Sequence, residues 1–450
     1  MNYTSFNPYS QQLLSNFDTQ NNIALNESEN AFVHWKKLTI AERVGYFEKL
    51  IEVIQQEKEN LANLVTAEMG KPLCEAIYEI DKTIATITFY NENAANFLAK
   101  KTVKTAATES YVCYEPLGVI LAVMPWNFPI WQVFRFAIPT LLAGNVAILK
   151  HANNVPQCAA AIENLFTKAG FPNFVFKNYF LSNEKIAELL KSSIIKGLSF
   201  TGSVATGSYL ASLAAASMKK SVTELGGNDA FIVLPDADID WAVQNAIKSR
   251  AINSGQSCNA AKRFIIHELV YTIFKEKLIE KIAALKVGDP LDEQTNIGPL
   301  ARIDLAEKVK SQIEKSVAQG AQIAYQQILS SDNPYFVAPT VLSNIRKGIV
   351  AFDEEIFGPV WSLLTYYDIN EAIALSNDTV FGLGCSIWSE GKQQIDEIIS
   401  QIEAGNVFVN EIVKSDPKIP FGGIKASGLG RELGEEGIKE FTNIKTVFIK

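Results

Sequence analysis

Apolar residues recur at three- and four-residue spacing through most of the first hundred positions of the chain. Segments 26–37, 41–57 and 61–97 carry them among Glu, Lys and Gln, a pattern that predicts amphipathic helices. The Gly and Pro of MGKP at 69–72 interrupt the third segment. Residues 102–117 are rich in Thr, Val and Tyr, so they predict an extended ribbon after the helices.

Short apolar runs alternate with amphipathic segments from Gly118 onward. The pattern predicts strands and helices in turn: strands at 118–123, 145–149, 174–180 and 197–201, and helices at 156–168, 183–191 and 204–218. Such alternation is typical of a parallel sheet covered by helices on both faces. Ligands of such sheets bind at the carboxyl ends of the strands.

The alternation starts again after Glu224 and predicts a second α/β unit. Its predicted elements are strands 230–234, 263–266, 360–367, 384–388 and 407–410, and helices 239–254, 268–285 and 369–376. Residues 446–450 predict a terminal strand, which needs an edge with which to pair. We therefore assign this strand and the ribbon at 102–117 to subunit association.

Composition excludes several classes of protein. The chain has 450 residues and a formal net charge of −8, so we expect two or three domains and no nucleic-acid partner. Pro and Asn interrupt the most apolar segment, 118–136, which argues against a membrane span. Five scattered cysteines without a CxxC pair, and only three His, argue against disulfides and a metal site and favour a cytoplasmic protein.

Cys258 is the sharpest candidate for chemistry. It lies in NSGQSCNAAKR at 253–263, among small residues that would let a substrate reach the sulfur. Glu224, in VTELGG at 222–227, is an acid whose apolar surroundings would raise its pKa toward the range of a general base. A free Cys is more often a small buried hydrophobe, and Glu224 alone could equally be structural. We assign that buried role to the other cysteines, Cys74, Cys113, Cys158 and Cys385.

Two turns follow predicted strands of the first unit. FTGSVATG at 200–207 joins a strand to a helix, whose first N–H groups could hold a diphosphate. It lacks both the GxGxxG and the Walker spacing, so alone it is a weak signal. MPWNFP at 124–129 presents the amide of Asn127 between aromatic residues, where it could donate to an oxyanion or simply cap a turn.

Together these segments resemble the NAD(P)-dependent aldehyde dehydrogenase superfamily. The motifs occur in the family's order over nearly the whole chain: PWNFP at 125–129, LKHANNVP at 149–156, FTGSVATG at 200–207, ELGG at 224–227, GQSC at 255–258, EEIFGPV at 354–360 and PFGGIKASGLGRELG at 420–434. The resemblance implies an α/β fold with a Rossmann-like cofactor-binding domain (1–101 and 118–226), a catalytic α/β domain (227–411) and a small β oligomerisation and bridging element (102–117 and 412–450). It also implies a homodimer or homotetramer.

The resemblance assigns a role to each matching residue. Cys258 would be the nucleophile, Glu224 the general base, and Asn127 an oxyanion donor alongside the backbone N–H of Cys258. The implied cofactor-binding residues are Trp126, Lys150, Asn153, Gly202, Ser203, Gly207, Glu355 and Phe357. Asn153 stands where NAD-preferring members often carry a Glu, which removes a repulsion toward a 2′-phosphate. We therefore expect NADP as the cofactor, with NAD also used.

The closest resemblance within the superfamily is to the short bacterial succinate-semialdehyde dehydrogenases. It implies that Arg135 and Ser415 bind the distal carboxylate of the substrate, with Trp131 and Phe421 lining the same site. Where longer members carry a second arginine, this chain has Ile252, so glutarate semialdehyde or another small aldehyde remains an alternative substrate. Longer members also carry a second cysteine two residues after the nucleophile. That position is Ala260 in this chain, so we expect no local disulfide with Cys258. A catalytically idle scaffold and a CoA-acylating enzyme are less favoured, because Cys258, Glu224 and Asn127 occur together.

Overall fold

The computed structural model describes residues 3–450; residues 1 and 2, with which the predicted first domain begins, lie outside the described part. Its α-helices are, in chain order, α1 (Leu25–Trp35), α2 (Ile40–Met69), α3 (Leu73–Phe97), α4 (Trp131–Leu142), α5 (Pro156–Lys168), α6 (Asn183–Lys191), α7 (Val204–Ala216), α8 (Ile239–Ala251), α9 (Glu268–Ala283), α10 (Ile303–Ala318), α11 (Val350–Asp353), α12 (Ile369–Asn377), α13 (Lys392–Ile399) and α14 (Gly434–Lys439). Its strands are β1 (Tyr3–Asn7), β2 (Gln12–Phe17), β3 (Lys101–Thr102), β4 (Glu109–Pro116), β5 (Val119–Val123), β6 (Val146–Lys150), β7 (Phe176–Asn178), β8 (Ile195–Thr201), β9 (Lys220–Glu224), β10 (Ala230–Val233), β11 (Arg263–His267), β12 (Gln322–Gln326), β13 (Thr340–Ser343), β14 (Val360–Tyr366), β15 (Phe381–Gly382), β16 (Gly384–Trp388), β17 (Asn406–Val409), β18 (Ile424–Lys425), β19 (Gly428–Leu429) and β20 (Thr442–Ile449).

Two large sheets organise the chain. The first has the order β19-β9-β8-β5-β6-β7. Each neighbouring pair from β9 through β7 is parallel, and β19 is antiparallel to β9. The second has the order β12-β13-β14-β11-β10-β16-β17, parallel except for β12. The connection from β9 to β10, after Glu224, passes from one sheet to the other. The predicted boundaries between domains stay predictions.

The two long helices before the first sheet begin and end where local chemistry requires. Thr39 and Glu42 form a capping box at the start of α2, and Gly70, with φ of 74°, ends it. Apolar positions of α2 and α3 face each other and pack against α4 and α5. They share one buried core with the first sheet, whose strand β5 is buried throughout. The packed helices α2 and α3 therefore enclose one side of the core that they share with the first sheet.

Helix α4 was not foreseen, and its composition explains why. All twelve of its residues are buried and Pro139 lies inside it, so its sequence shows neither a polar face nor an uninterrupted helical pattern. Before the predicted helices, β1 and β2 form a hairpin, which the helical pattern of the first hundred residues did not indicate. Tyr3 anchors this hairpin by donating from its buried hydroxyl to the carbonyl of Leu181 at 2.9 Å.

The C-terminal strand β20 pairs with the predicted ribbon. It runs antiparallel to β4 in a three-stranded sheet of order β20-β4-β3. The edge that we expected the chain end to need is therefore supplied by the chain itself. In the described part of the chain, every helix is too short or too polar to cross a lipid bilayer.

Candidate active site

The candidate nucleophile Cys258 follows a tight 3₁₀ turn at Ile252–Gly255, between α8 and β11. Asn253 and Ser254 both have φ of 54°, a left-handed conformation that costs a residue with a side chain about 1–3 kcal/mol. Buried contacts compensate for this cost: the backbone N–H of Asn253 donates to Glu75 Oε2 at 2.7 Å. The turn thus fixes the backbone that carries the thiol.

Two cavities meet at Cys258. One has a volume of about 540 Å³ and extends toward the carboxyl ends of β8 and β9. The other has a volume of about 400 Å³ and lies among α3, α4, α8 and residues 412–421. Cys258 and Gln132 line both. The sulfur can therefore be approached from two sides, and we call the spaces the sheet-side cavity and the helix-side cavity.

Burial raises the pKa of the Cys258 thiol to about 12, although Lys262 and then Arg135 act in the opposite direction. Glu224 adds to the increase. Because the thiolate is the reactive form, the thiol needs a nearby group that can accept its proton. This requirement directs attention to the carboxylate of Glu224.

Glu224 ends β9 and is 1% exposed. Neither of its carboxylate oxygens has a hydrogen-bond partner among residues 3–450. Burial raises the pKa of this carboxyl well above its usual value, and Arg135 opposes the effect. Its neighbours Leu225 and Gly226 line the sheet-side cavity, whereas Glu224 itself is not among the lining residues of either cavity. A buried carboxyl without partners has the properties of a general base or acid.

Asn127 lies in the turn after β5 and lines the sheet-side cavity. Its Nδ2 donates to the carbonyl of Gln256 at 3.0 Å, and its own backbone carbonyl accepts from Asn253 Nδ2 at 2.7 Å. An amide NH₂ carries two hydrogens, so one donor remains. These contacts couple the Asn127 turn to the backbone that carries Cys258.

The sheet-side cavity contains most of the predicted cofactor-binding residues. Its lining includes Trp126, Gly202, Ser203, Glu355 and Phe357. Ser203 caps α7, since its Oγ accepts from the N–H of Thr206 at 3.4 Å, and a helix N-terminus favours an anion. Trp126 and Phe357 meet edge to face, 6.0 Å between ring centroids. The donors, the helix end and the volume fit a dinucleotide.

Three predicted cofactor residues lie outside the lining of the sheet-side cavity. Lys150 ends β6, and its Nζ donates to Asn153 Oδ1 at 2.8 Å; burial lowers the pKa of Lys150 to about 8. Gly207 lies within α7, where any side chain would overlap Leu225. Its role in the fold is close packing of α7 against Leu225, which follows β9, and against Phe200 of β8.

The four predicted substrate residues, Arg135, Trp131, Ser415 and Phe421, all line the helix-side cavity. Arg135 is 2% exposed, and its Nε forms an ion pair with Oε2 of Glu432, which is also buried. The Arg135 guanidinium lies 5.4 Å from the ring centroid of Phe421. Arg135 Nη2 has no hydrogen-bond partner among residues 3–450, so a donor is left over.

Sequence reasoning missed Lys82, which also lines the helix-side cavity. Its Nζ donates to Ser415 Oγ at 2.7 Å and lies 4.2 Å from the ring centroid of Trp131. A signal existed: Glu75, Glu79 and Lys82 follow one another at helical spacing beside the buried face of α3. Charges on a face that packs against protein indicate a polar interior.

The expectation that the other four cysteines are buried is only half right. Cys158 and Cys385 are buried, but Cys113 is partly exposed and Cys74 is exposed. Cys74 lies in the first turn of α3 and lines the helix-side cavity. It is exposed because the cavity leaves one side of the residue without packed neighbours. Cys113 lies on β4 of the small three-stranded sheet, which has little bulk behind it.

Comparison with known proteins decides the family. Residues 2–447 match the model of the aldehyde dehydrogenase family. The chain belongs to this family. Among its relatives, a probable succinate-semialdehyde dehydrogenase (NADP(+)) of Synechocystis sp. is 44% identical over the full length of both chains. A succinate-semialdehyde dehydrogenase (NADP(+)) 1 of Mycobacterium ulcerans is 42% identical over 92% of this chain and 91% of the relative.

Solved structures agree with the family assignment. The succinic semialdehyde dehydrogenase of Streptococcus pyogenes, crystallised in complex with NADP+, superposes with a TM-score of 0.97 at 33% identity, covering 99% of each chain. The aldehyde dehydrogenase fold predicted from the ordered motifs is thereby confirmed, as is recognition of the family. In this aldehyde dehydrogenase, the GQSC segment at 255–258 brings Cys258 to the junction of the two cavities.

Proposed function

We propose that the chain oxidises succinate semialdehyde to succinate with NADP. One observation carries the proposal: the thiol of Cys258 lies between a cavity suited to a dinucleotide and a cavity that contains the cations Arg135 and Lys82. Cations in an aromatic-walled space favour a substrate with a carboxylate at the end away from the aldehyde. The names of the relatives from Synechocystis and Mycobacterium ulcerans support the same substrate.

The chemistry follows from three side chains. Cys258 attacks the aldehyde carbon and forms a thiohemiacetal, while its proton passes to Glu224 directly or through water. The remaining N–H of Asn127 and the backbone N–H of Cys258 donate to the developing oxyanion. The nicotinamide, when bound, accepts the hydride that leaves this carbon. Glu224 releases the thiol proton to solvent and then takes a proton from a water molecule, which attacks the thioester. The carboxylic acid leaves, and the Cys258 sulfur takes a proton again.

The cofactor preference rests on the end of β6. Lys150 supplies a cation, and Asn153 beside it is neutral where an acid would repel a phosphate. Together they favour the additional phosphate of NADP, while the helix end at Ser203 accepts the diphosphate common to NADP and NAD. We therefore propose NADP as the preferred cofactor and NAD as a poorer one.

A panel of aldehydes tests the function. The purified protein is assayed with succinate semialdehyde, glutarate semialdehyde, butanal and benzaldehyde, each with NADP and NAD, by the absorbance of the reduced nicotinamide. We expect the highest kcat/KM with succinate semialdehyde and NADP. A higher value for butanal would refute the substrate assignment, and the absence of turnover with every aldehyde would favour the idle scaffold.

We propose further that the protein is a cytoplasmic homo-oligomer. β20 lies at the edge of its three-stranded sheet and exposes apolar side chains, with Ile444 63% and Phe448 57% exposed. An edge strand with apolar side chains is a surface that a second copy can cover. Light scattering after size exclusion tests this proposal: a mass of two or four chains is expected, and a monomer would contradict it.

A further inference from the structure

We propose that Lys82 is a specificity-determining residue whose ammonium group binds the distal carboxylate of the substrate, with Ser415 as its hydrogen-bonding partner. The inference rests on the proposed function, because it concerns the same helix-side cavity and an aldehyde that carries a carboxylate. It adds a cation on α3 to the site that the sequence assigned to Arg135.

The position of Lys82 is the first argument. The residue extends from the middle of α3 into the cavity that Cys258 also lines. Trp131 on α4 covers one side of the ammonium group, with 4.2 Å from Nζ to the ring centroid, and Ser415 Oγ accepts from Nζ at 2.7 Å. These two contacts fix a flexible side chain, so its charge is already oriented toward the cavity.

The charge balance of the cavity is the second argument. The Nε of Arg135 already pairs with Glu432, and Lys71, earlier in the chain, pairs with Glu79. For Lys82, no carboxylate oxygen of residues 3–450 lies within 4.0 Å. Glu79 and Asp416 act on Lys82 only from beyond ion-pair distance. A cation held between an aromatic ring and a hydroxyl, without a carboxylate in direct contact, favours the arrival of an anion. The distal carboxylate would supply that anion.

The protonation of Lys82 supports the same conclusion. Burial, and after it the charge of Arg135, lowers the pKa of Lys82 to about 7. A carboxylate placed beside Nζ stabilises the charged form. Binding of an anionic substrate would therefore restore the full charge of Lys82, whereas binding of an uncharged aldehyde would not.

The remaining cations of the helix-side cavity are less suited to this role. Lys248 and Lys414 also line the cavity, but both are exposed, and Lys414 pairs with Glu411 at 2.7 Å. Solvent screens a charge at such a position. Lys248 is therefore a matched control, because it is a lysine of the same cavity without the burial of Lys82.

The test compares two substrates on each variant. Lys82→Met, Lys82→Arg and Lys248→Met are assayed with saturating NADP against succinate semialdehyde and against butanal, which has the same carbon count and no carboxylate. We expect Lys82→Met to raise KM for succinate semialdehyde by about 10- to 100-fold, the range of a lost charge-assisted hydrogen bond. KM and kcat for butanal should change less than about threefold. Lys82→Arg should recover part of the loss, and Lys248→Met should change KM by less than about threefold.

A second measurement separates binding from turnover. Succinate is used as an inhibitor of butanal oxidation, and its inhibition constant should rise in Lys82→Met by about the same factor as KM for succinate semialdehyde. Equal changes in KM for both aldehydes, an unchanged inhibition constant, or an equally large effect of Lys248→Met would each overturn the role of Lys82. Failure of the proposed function looks different, because the unsubstituted protein itself would then show no preference for succinate semialdehyde.

Discussion

The two cavities that meet at Cys258 are built in different ways. The sheet-side cavity uses strand ends and a helix N-terminus, so many of its lining residues come from short segments that follow β5, β8 and β9, which are neighbours in the first sheet. The helix-side cavity uses long side chains from α3 and α4 and from residues 412–421, far apart in the chain. Strand-end motifs such as residues 200–207 can be found in a sequence, whereas a site assembled from side chains on separate helices leaves no such motif.

The largest effect should come from the residue that the cavities share. Cys258→Ala removes the sulfur that forms the covalent bond, so turnover of every aldehyde should fall by about 10⁴-fold or more. The rate of NADPH formation measures this fall in turnover. NADP binding, followed by fluorescence quenching, should persist. Residual turnover at a tenth of the original rate would remove Cys258 as the nucleophile.

Glu224→Gln should separate the two halves of the reaction. Loss of the base should slow release of the acid by about 10²- to 10⁴-fold. A rapid burst of NADPH, close to one per active site, should remain if water can carry the proton of Cys258 away during acylation. Stopped-flow absorbance resolves the burst from the steady rate. An unchanged steady rate would contradict the assignment of Glu224 as the base for hydrolysis.

Arg135→Met should alter the helix-side cavity and leave the sheet-side cavity intact. KM for succinate semialdehyde should rise by about 10- to 100-fold, and KM for NADP should stay constant. The buried carboxylate of Glu432 loses its partner, which should cost about 3–5 kcal/mol of stability. The double variant Arg135→Met with Glu432→Gln should recover stability, but not KM, in denaturant titrations and kinetics. A double variant with normal KM would show that Arg135 only neutralises Glu432.

The converse change acts on the predicted cofactor-binding residues at the end of β6, outside the lining of the sheet-side cavity. Asn153→Glu places a carboxylate where Lys150 Nζ now donates to an amide oxygen, so the acid should pair with Lys150 and repel a 2′-phosphate. KM for NADP should rise by about tenfold, corresponding to about 1.4 kcal/mol. KM for NAD and for succinate semialdehyde should not rise. Equal losses with NADP and NAD would contradict a role in phosphate recognition.

The smallest expected effect concerns stability and pH. The pKa of Glu224 is raised in the folded state, so this state keeps its proton where the unfolded chain has lost it. Stability is then lost as pH rises above about 4.5. Glu224→Gln stays neutral, so its melting temperature should exceed that of the unsubstituted protein by roughly 2–4 °C at pH 8 and by less at pH 5. Glu48→Gln, at an exposed position of α2, should show no such trend. A difference in melting temperature between Glu224→Gln and the unsubstituted protein that becomes smaller as pH rises would contradict the raised pKa of Glu224.

Periodicity predicted the elements whose two faces differ. The long helices α2 and α3 and the alternation of strands and helices after Gly118 have distinct apolar and polar sides, or strands buried throughout. It failed for α4, which has no polar side, and for the hairpin β1–β2, whose second strand is largely exposed. The motifs identified Cys258, Asn127 and the residues around Ser203, which line one cavity in the folded chain.

Lys82 shows why part of the site could not be predicted. The helical spacing of its charged residues indicates a polar interior beside α3, but it does not show what holds the ammonium group. The ring of Trp131 and the hydroxyl of Ser415 approach Lys82 only when the chain is folded. The ion pair of Arg135 with Glu432 is similar, since 297 positions separate the partners. Contacts between distant segments decide which charges in the helix-side cavity are already satisfied.

The position of Cys258 between two openings has a consequence for the order of events. The two cavities reach Cys258 from different sides, so a coenzyme in one and an aldehyde in the other would not have to pass each other. Geometry therefore imposes no sequence of addition. On the proposed mechanism, reduced coenzyme would be able to leave the sheet-side cavity while the acyl group is still attached to Cys258. Water would then enter from that side before the acid leaves through the helix-side cavity.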